Sequence, residues 1–296
     1  MILRVLTAAA ALSLAPFAAA QDAPPVETTD LGQGIFMLAT GVAGNVAVIT
    51  GEDGVWMIDT QMGHIAPALD EAQKAVSDGA DVRLVLNTHL HGDHVLGNAY
   101  FAERGALIMA HASVRERLMN PSANAVTGNT PEPLSGGFLP VIGIPGDSEI
   151  TLNGHTARIH YTPDAHTDGD LWVHFAEADV IHTGDLLFSG MYPFIDLDNG
   201  GTVDGMIAGM QAIAGAAGPD TRIIPGHGGL STREDVLASI AMLTAARDAV
   251  AALAAEGHSL DAVQAANPLA PFHDDWNWRF ITTERMTAIL YRDATR

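Results

Sequence analysis

Four side chains able to bind a metal stand within six residues, in Thr88-His89-Leu90-His91-Gly92-Asp93-His94, directly after a run, Val82–Asn87, that reads as a buried strand. Along an extended segment His89 and His91 point to the same side, and Gly92 lets the chain tighten so that Asp93 and His94 turn elsewhere. The two pairs can address two adjacent points in space, as a two-metal site requires. Burying this cluster without a cation would leave several polar groups short of partners. The chain has no cysteine, so any metal must be held by imidazole and carboxylate. Disulfides, iron–sulfur clusters, thiolate zinc sites and cysteine nucleophiles are excluded together.

The residues around the cluster set its frame. From Gly34 to Asp59, short strands (IFML, VAVIT, VWMID) are punctuated by Gly-containing turns, the pattern of β-hairpins. Ala66–Asp78 then has helical spacing, Asn98–Arg104 reads as a helix and Ala106–Ala110 as a strand. A second pass repeats the order. Ile150–Leu152, Ala157–Tyr161, Leu171–Phe175 and Val180–His182 read as strands, Met206–Ala217 as a helix, Arg222–Ile224 as a strand and Ser231–Glu256 as a helix. Two such halves predict an α/β fold of four layers, αββα, formed by residues 31–296 as one domain. Between the halves, Asn120–Pro140 is rich in Pro, Gly, Asn and Ser without periodicity, a long loop of the kind that serves as linker or lid. Helices at Ser259–Ala266 and Thr283–Arg292 flank a stretch whose Trp276, Trp278 and Phe280 are too apolar to leave in water, so this tail is expected to pack back on the body.

Residues 1–20 place Arg4 before a short apolar run ending in Ala18-Ala19-Ala20, the layout of a signal peptide cleaved after Ala20, with 21–30 as a flexible leader. Pro16 breaks the run, which is shorter than the roughly 20 residues a spanning helix needs, and no later segment reads as a span. The expected destination is a bacterial periplasm or the exterior, with no membrane partner after cleavage. A formal charge of −21 repels phosphate backbones, so nucleic acid is not expected as a partner and a small-molecule substrate is. Lys74, the only lysine and so the sole candidate for amine catalysis, falls within the first helix, where a solvated surface charge is the simpler reading.

Three further strand ends carry matching groups: Asp164-Ala165-His166-Thr167-Asp168, Thr183-Gly184-Asp185 and Pro225-Gly226-His227-Gly228. A lone His at a strand end is ordinarily just hydrogen-bonded. Three such segments in this order, after the first cluster, point to a metal centre. From Gly34 to Gly229 the chain resembles the metallo-β-lactamase-fold hydrolases, in which H-x-H-x-D-H is followed by a His, an Asp or Cys, and a His. The resemblance implies an αββα sandwich with two Zn²⁺ per chain at one edge of the two sheets. His89, His91 and His166 would hold the first zinc, Asp93, His94 and His227 the second, and Asp185 would bridge them. It further implies hydrolysis by a metal-activated water, with Asp93 orienting the nucleophile and shuttling its proton. Asp59 and Asp168 are expected to fix the imidazole tautomers.

The substrate is less sharply marked. His166-Thr167-Asp168-Gly169-Asp170 and the leader resemble secreted zinc β-lactamases, and Leu197-Asp198-Asn199-Gly200-Gly201 resembles their substrate-facing loop, which makes Asn199 an expected oxyanion donor. Two departures stand against this. Asp185 occupies the place of the zinc thiolate in the cysteine-type enzymes, and Phe188 the place of a lysine that pairs with the antibiotic's carboxylate, a contact of about 1.5–3 kcal/mol. An Asp at the bridging position instead resembles the lactonase and thioesterase branches, as does His91 through Asn98. No cluster of Lys and Arg follows His227 to hold an anionic thiol carrier. Phe188, Met191 and Tyr192, followed by Pro193 and Phe194, are expected to wall the substrate pocket. The expected function is a secreted binuclear zinc hydrolase of a cyclic amide or ester, β-lactamase-like first. A lactonase or thioesterase, a mononuclear iron persulfide dioxygenase and a non-catalytic zinc-binding protein are the alternatives.

Overall fold

The computed structural model describes residues 23–296. The expected signal peptide, residues 1–20, lies outside them. Seven strands form the first sheet in chain order: β1 (Glu27–Asp30), β2 (Ile35–Ala39), β3 (Val46–Ile49), β4 (Val55–Ile58), β5 (Val82–Leu86), β6 (Leu107–His111) and β7 (Ile142–Ile144). The second sheet holds β8 (Ser148–Leu152), β9 (His155–Thr162), β10 (Asp170–Phe175), β11 (Val180–His182) and β12 (Arg222–Ile224), ordered β12-β11-β10-β9-β8. β1 to β4 pair antiparallel and β4 to β7 parallel; β11 and β12 are likewise parallel.

Period-two alternation explains why both faces of these strands are apolar. On the first sheet Ile35, Met37, Ala47, Ile49, Trp56 and Ile58 face the second sheet, where they meet Ile159, Leu171, Val173, Phe175 and Ile224. Their neighbours Leu38, Val46, Val48, Val55 and Met57 face outward and are covered by Leu69 of helix α1 (Ala66–Val76), with Phe101 beyond the short α2 (Gly92–Val95), in α3 (Asn98–Ala102). Helix α4 (Ala112–Met119) follows β6. The outer face of the second sheet, with Trp172, Ile181 and Ile223, is covered by α5 (Val203–Ala216) and α6 (Arg233–Ala255), then α7 (Leu260–Ala266), α8 (His273–Trp276) and α9 (Thr283–Ala294). Helices therefore enclose two packed sheets, the four-layer αββα sandwich. Each fully buried Leu, Ile or Val in these layers contributes about 1.5–3 kcal/mol.

Several expectations are corrected. Residues 27–30, read as part of a flexible leader, form β1 in register with β2 from Glu27↔Ala39 to Asp30↔Phe36. All four side chains are exposed, so an edge strand held by its backbone alone left no hydrophobic pattern to detect. The first helix ends at Val76 rather than Asp78, because Asp78 and Gly79 take left-handed φ values of 54° and 81°. Helix α6, at 23 residues, does have the length and apolar composition of a membrane span, but one side of it, Val236, Met242, Leu243, Ala246 and Val250, is packed into the helical layer. The Asn120–Pro140 loop contains one helical turn, Gly136–Phe138, and an isolated bridge between Asn124 and Asn129.

Candidate metal centre

The parallel strands end at one edge of the sandwich, and there they deliver the predicted ligands. β5 runs into Thr88–His91, and α2 turns Asp93 and His94 back beside them. His166 lies in the connection from β9 to β10, Asp185 in the helical turn after β11, and His227 beyond β12. Local chemistry holds this geometry. Asp59, at the end of β4, accepts from Thr88 N at 2.8 Å and Thr88 Oγ1 at 2.8 Å. The Asn87 amide donates to His94 O at 3.1 Å and to Asn98 Oδ1 at 3.0 Å. Glycine is required at Gly226, where a Cβ would collide with Asp185 Oδ1, and at Gly44, where it would enter the His94 ring.

All seven predicted side chains come together, in two groups. His89, His91, His166 and Asp185 form one and Asp93, His94 and His227 the other, the candidate ligand atoms of each group lying within 4.8 Å of one another. In the first, His91 Nδ1 is 3.1 Å from His89 Nε2 and 2.8 Å from His166 Nε2. In the second, Asp93 Oδ2 is 3.2 Å from His227 Nε2 and 3.6 Å from His94 Nε2. Asp185 stands between them: Oδ1 is 3.1 Å from His94 Nε2, and Oδ2 is 3.4 Å from both His166 Nε2 and His227 Nε2.

These side chains fit divalent cations. Ligands at 2.0–2.2 Å in a tetrahedron are separated by about 3.4 Å, close to the spacings observed. His94 Nε2 and Asp185 Oδ1 are buried and face each other at 3.1 Å without forming a hydrogen bond, and neither finds another partner among the described residues, so a cation would give both atoms a ligand role. The donor set, imidazole and carboxylate without sulfur, suits zinc and also iron.

The opposite ring nitrogens are anchored. His94 Nδ1 meets Asp59 Oδ2 at 2.7 Å, His166 Nδ1 meets Phe194 O at 2.7 Å, and His89 Nδ1 meets Thr88 Oγ1 at 3.0 Å. His91 Nε2 meets Asp196 Oδ2 at 2.8 Å. Asp59 thus takes the orienting role expected of it, whereas Asp168 does not: its carboxylate is engaged by Arg117, with Nη2 2.6 Å from Oδ2. The residue missed is Asp196. Its only sequence signal is the spacing to Asn199, which marks a cap, and its side chain does accept from the backbone N–H groups of Asp198 and Asn199. Asp198 in turn ties two distant segments to this turn, accepting from Ala125 N at 2.8 Å and from Arg292 Nη1 at 3.0 Å.

Burial and charge divide the imidazoles. Burial pushes His89 down and His166 to about 4. For His94 and His227 burial acts the same way, but Asp185 and Asp93 outweigh it, holding His94 well above its ordinary value and raising His227 to about 9. Metal binding at this group would therefore displace protons. Burial opposes ionisation of Asp93 and Asp185, yet the adjoining histidines hold both below the usual carboxylate range.

A cleft of about 870 Å³ opens over the two groups. Side-chain exposures of 17% for His91, 24% for Asp93 and 16% for His227, against 0–4% for His89, His94, His166 and Asp185, identify the reachable face. Phe188 and Met191 line the cleft as expected, with Phe194, Trp278 and Phe280. Phe188 stacks on His227 at 4.9 Å, and Phe194 on His91 at 5.3 Å. Tyr192 is corrected: it is fully buried in the helical layer, with its hydroxyl toward Leu269 O at 3.5 Å, and does not line the cleft. Asn199 lines the cleft, where its Nδ2 donates one N–H to Asp196 Oδ2 at 2.7 Å and its Oδ1 accepts from Arg117 Nη1 at 3.3 Å, so the side chain is held in place with its second N–H making no hydrogen bond among the described residues. Ser122, Asn124, Thr127 and Pro131 bring the long loop to the cleft wall.

A family model described as the metallo-beta-lactamase superfamily matches residues 39–229. A hydroxyacylglutathione hydrolase from Synechococcus sp. (strain JA-2-3B'a(2-13)) is 28% identical over 128 residues, 43% of this chain and 44% of that protein. The match thus spans less than half the length of this curated relative. Among solved structures, a metallo-beta-lactamase family protein from Thermus thermophilus aligns with a TM-score of 0.63 and 20% identity, over 76% of this chain and 84% of that one. A sec-alkylsulfatase from Pseudomonas sp. aligns with a TM-score of 0.68 and 14% identity, over 90% of this chain and 50% of the other. At such identities the structural likeness shows the shared fold.

Proposed function

Because the chain belongs to the metallo-β-lactamase superfamily, we propose that it is a two-zinc hydrolase of a small acyl compound, an ester, lactone or thioester first and a cyclic amide second. The observation that carries this reading is Asp185, whose two oxygens reach both groups of nitrogen donors. A single iron would need only one group, so the second, Asp93, His94 and His227, argues against a mononuclear oxygenase. An open cleft over His91, Asp93 and His227 favours catalysis over metal storage, where a closed site is expected.

Zinc ions bound by these residues would supply a water of lowered pKa and polarise the scissile carbonyl. The chain's own groups do the rest. Asp93 is ionised and partly open to the cleft, and its Oδ1 makes no hydrogen bond or ion pair among the described residues, so it can orient the water and take its proton. Asp196, Asp59, Thr88 and the Phe194 carbonyl hold the rings so that one nitrogen of each faces inward. Phe188 and Phe194 shield the faces of His227 and His91 from water.

Ester or thioester chemistry takes precedence because an aspartate between the two groups, Asp185, resembles the lactonase and thioesterase branches rather than the cysteine-type β-lactamases. The hydroxyacylglutathione hydrolase relative supports the same order. The leader, residues 1–20, supports action outside the cytoplasm. Turnover of a simple thioester, an acyl-homoserine lactone and a chromogenic cephalosporin by zinc-loaded protein, with metal content measured alongside, tests the reading. About two zincs per chain and turnover of the first or second compound are expected; one iron and no hydrolysis would overturn it.

A further inference from the structure

The cleft wall farthest along the sequence is Trp278, Arg279 and Phe280. Both neighbours of Arg279 are fixed. Trp278 Nε1 donates to Tyr192 O at 2.9 Å, and Phe280 O accepts from Arg285 Nη1 at 2.6 Å. Their rings face the metal centre: Trp278 lies 6.1 Å from the His227 ring, and Phe280 packs edge-on against Phe194 at 5.5 Å. Between them Arg279 is exposed at the cleft.

Charge makes this arginine conspicuous. The chain carries 35 acids against 14 Lys and Arg, and the other arginines near the cleft are occupied: Arg117 by Asp168, Arg292 by Asp198, Arg285 by Phe280 O. Arg279 makes no ion pair or hydrogen bond among the described residues, and it is the only Lys or Arg among those lining the cleft. Its remaining charged lining, Glu27, Asp93, Asp185 and Asp196, is acidic apart from the histidines. A neutral apolar occupant covering the guanidinium would leave its five N–H donors unpaired. A polyanion would meet four carboxylates. A single carboxylate on an apolar body satisfies both constraints, since it offers a bidentate acceptor to Arg279 and apolar surface to the aromatic wall.

We propose that Arg279 receives a carboxylate of the substrate, so that the compound hydrolysed is an apolar acyl or ring molecule bearing one anionic group. The proposal rests on the hydrolase reading for its chemistry, but its binding step is tested separately. Tryptophan fluorescence of the metal-free protein is titrated with 4-phenylbutyrate and with neutral 4-phenylbutyramide, in wild type and in Arg279→Gln. The wild type should bind the carboxylate about 10- to 100-fold more tightly than the amide, and Arg279→Gln should abolish that preference. Equal affinities, a preference that survives in Arg279→Gln, or no binding of either compound would overturn the proposal. With zinc-loaded protein, the same variant should raise KM for a p-nitrophenyl glutarate monoester by about 10- to 100-fold with kcat little changed, and leave p-nitrophenyl butyrate unaffected. If neither ester turns over while the Arg279-dependent preference persists, the hydrolase reading fails and the anion site stands.

Discussion

Asp196 Oδ2 lies 2.8 Å from His91 Nε2, and that contact decides which nitrogen of the ring is left to face the metal centre. His91 is the most exposed histidine of its group, so its orientation depends more on this partner than on packing. Replacing Asp196 with Ala should weaken zinc binding about 10- to 100-fold. Competition against a chromophoric chelator measures it, and an unchanged affinity would show that packing alone orients the ring.

His91→Ala should reduce hydrolysis of every substrate to background while the far-UV circular dichroism stays that of the wild type. The side chain contributes to the metal centre and to no hydrophobic cluster. Near-normal turnover would remove His91 from the ligand set.

Chelation should abolish activity, and zinc should restore it. Since the ligands come from both sheets, zinc should also raise the melting temperature, by the equivalent of about 2.7 kcal/mol at a free concentration 100 times Kd. Calorimetry of metal-free and zinc-loaded protein checks this; identical transitions would mean that the groups bind no ion.

Asp170, buried beside the centre, is raised to about 7 by burial, although Thr167 donates to it from N and Oγ1. Its folded pKa exceeds its ordinary value of about 4, so the folded state holds the extra proton across that interval. The stability of the metal-free protein should therefore fall as pH rises from about 4 to about 7 by this group's contribution. Asp170→Asn should flatten that part of the profile in denaturant melts from about pH 4 to 8. A variant with the wild-type slope would contradict the assignment.

How much was legible in the sequence follows from where each signal lies. The strands around Val46–Ile49 and Val55–Ile58 are buried on both faces, which leaves short apolar runs between glycine turns. The donor cluster is legible because four donors fall almost consecutively, and Asp185 because the order of strand ends is itself suggestive. Asp196 gave no comparable signal, since a carboxylate in a loop reads equally as a cap. Tyr192 was misplaced because an aromatic run does not reveal which ring turns inward. β1 was missed because its side chains are all exposed and only backbone hydrogen bonds define it.

Asp198 joins Arg292 of the last helix and Ala125 of the long loop to the turn that carries Asp196. Arg296 also donates to Gly201 O at the end of that turn. Removing the Arg292 side chain would therefore loosen, through Asp198, the turn whose Asp196 orients His91.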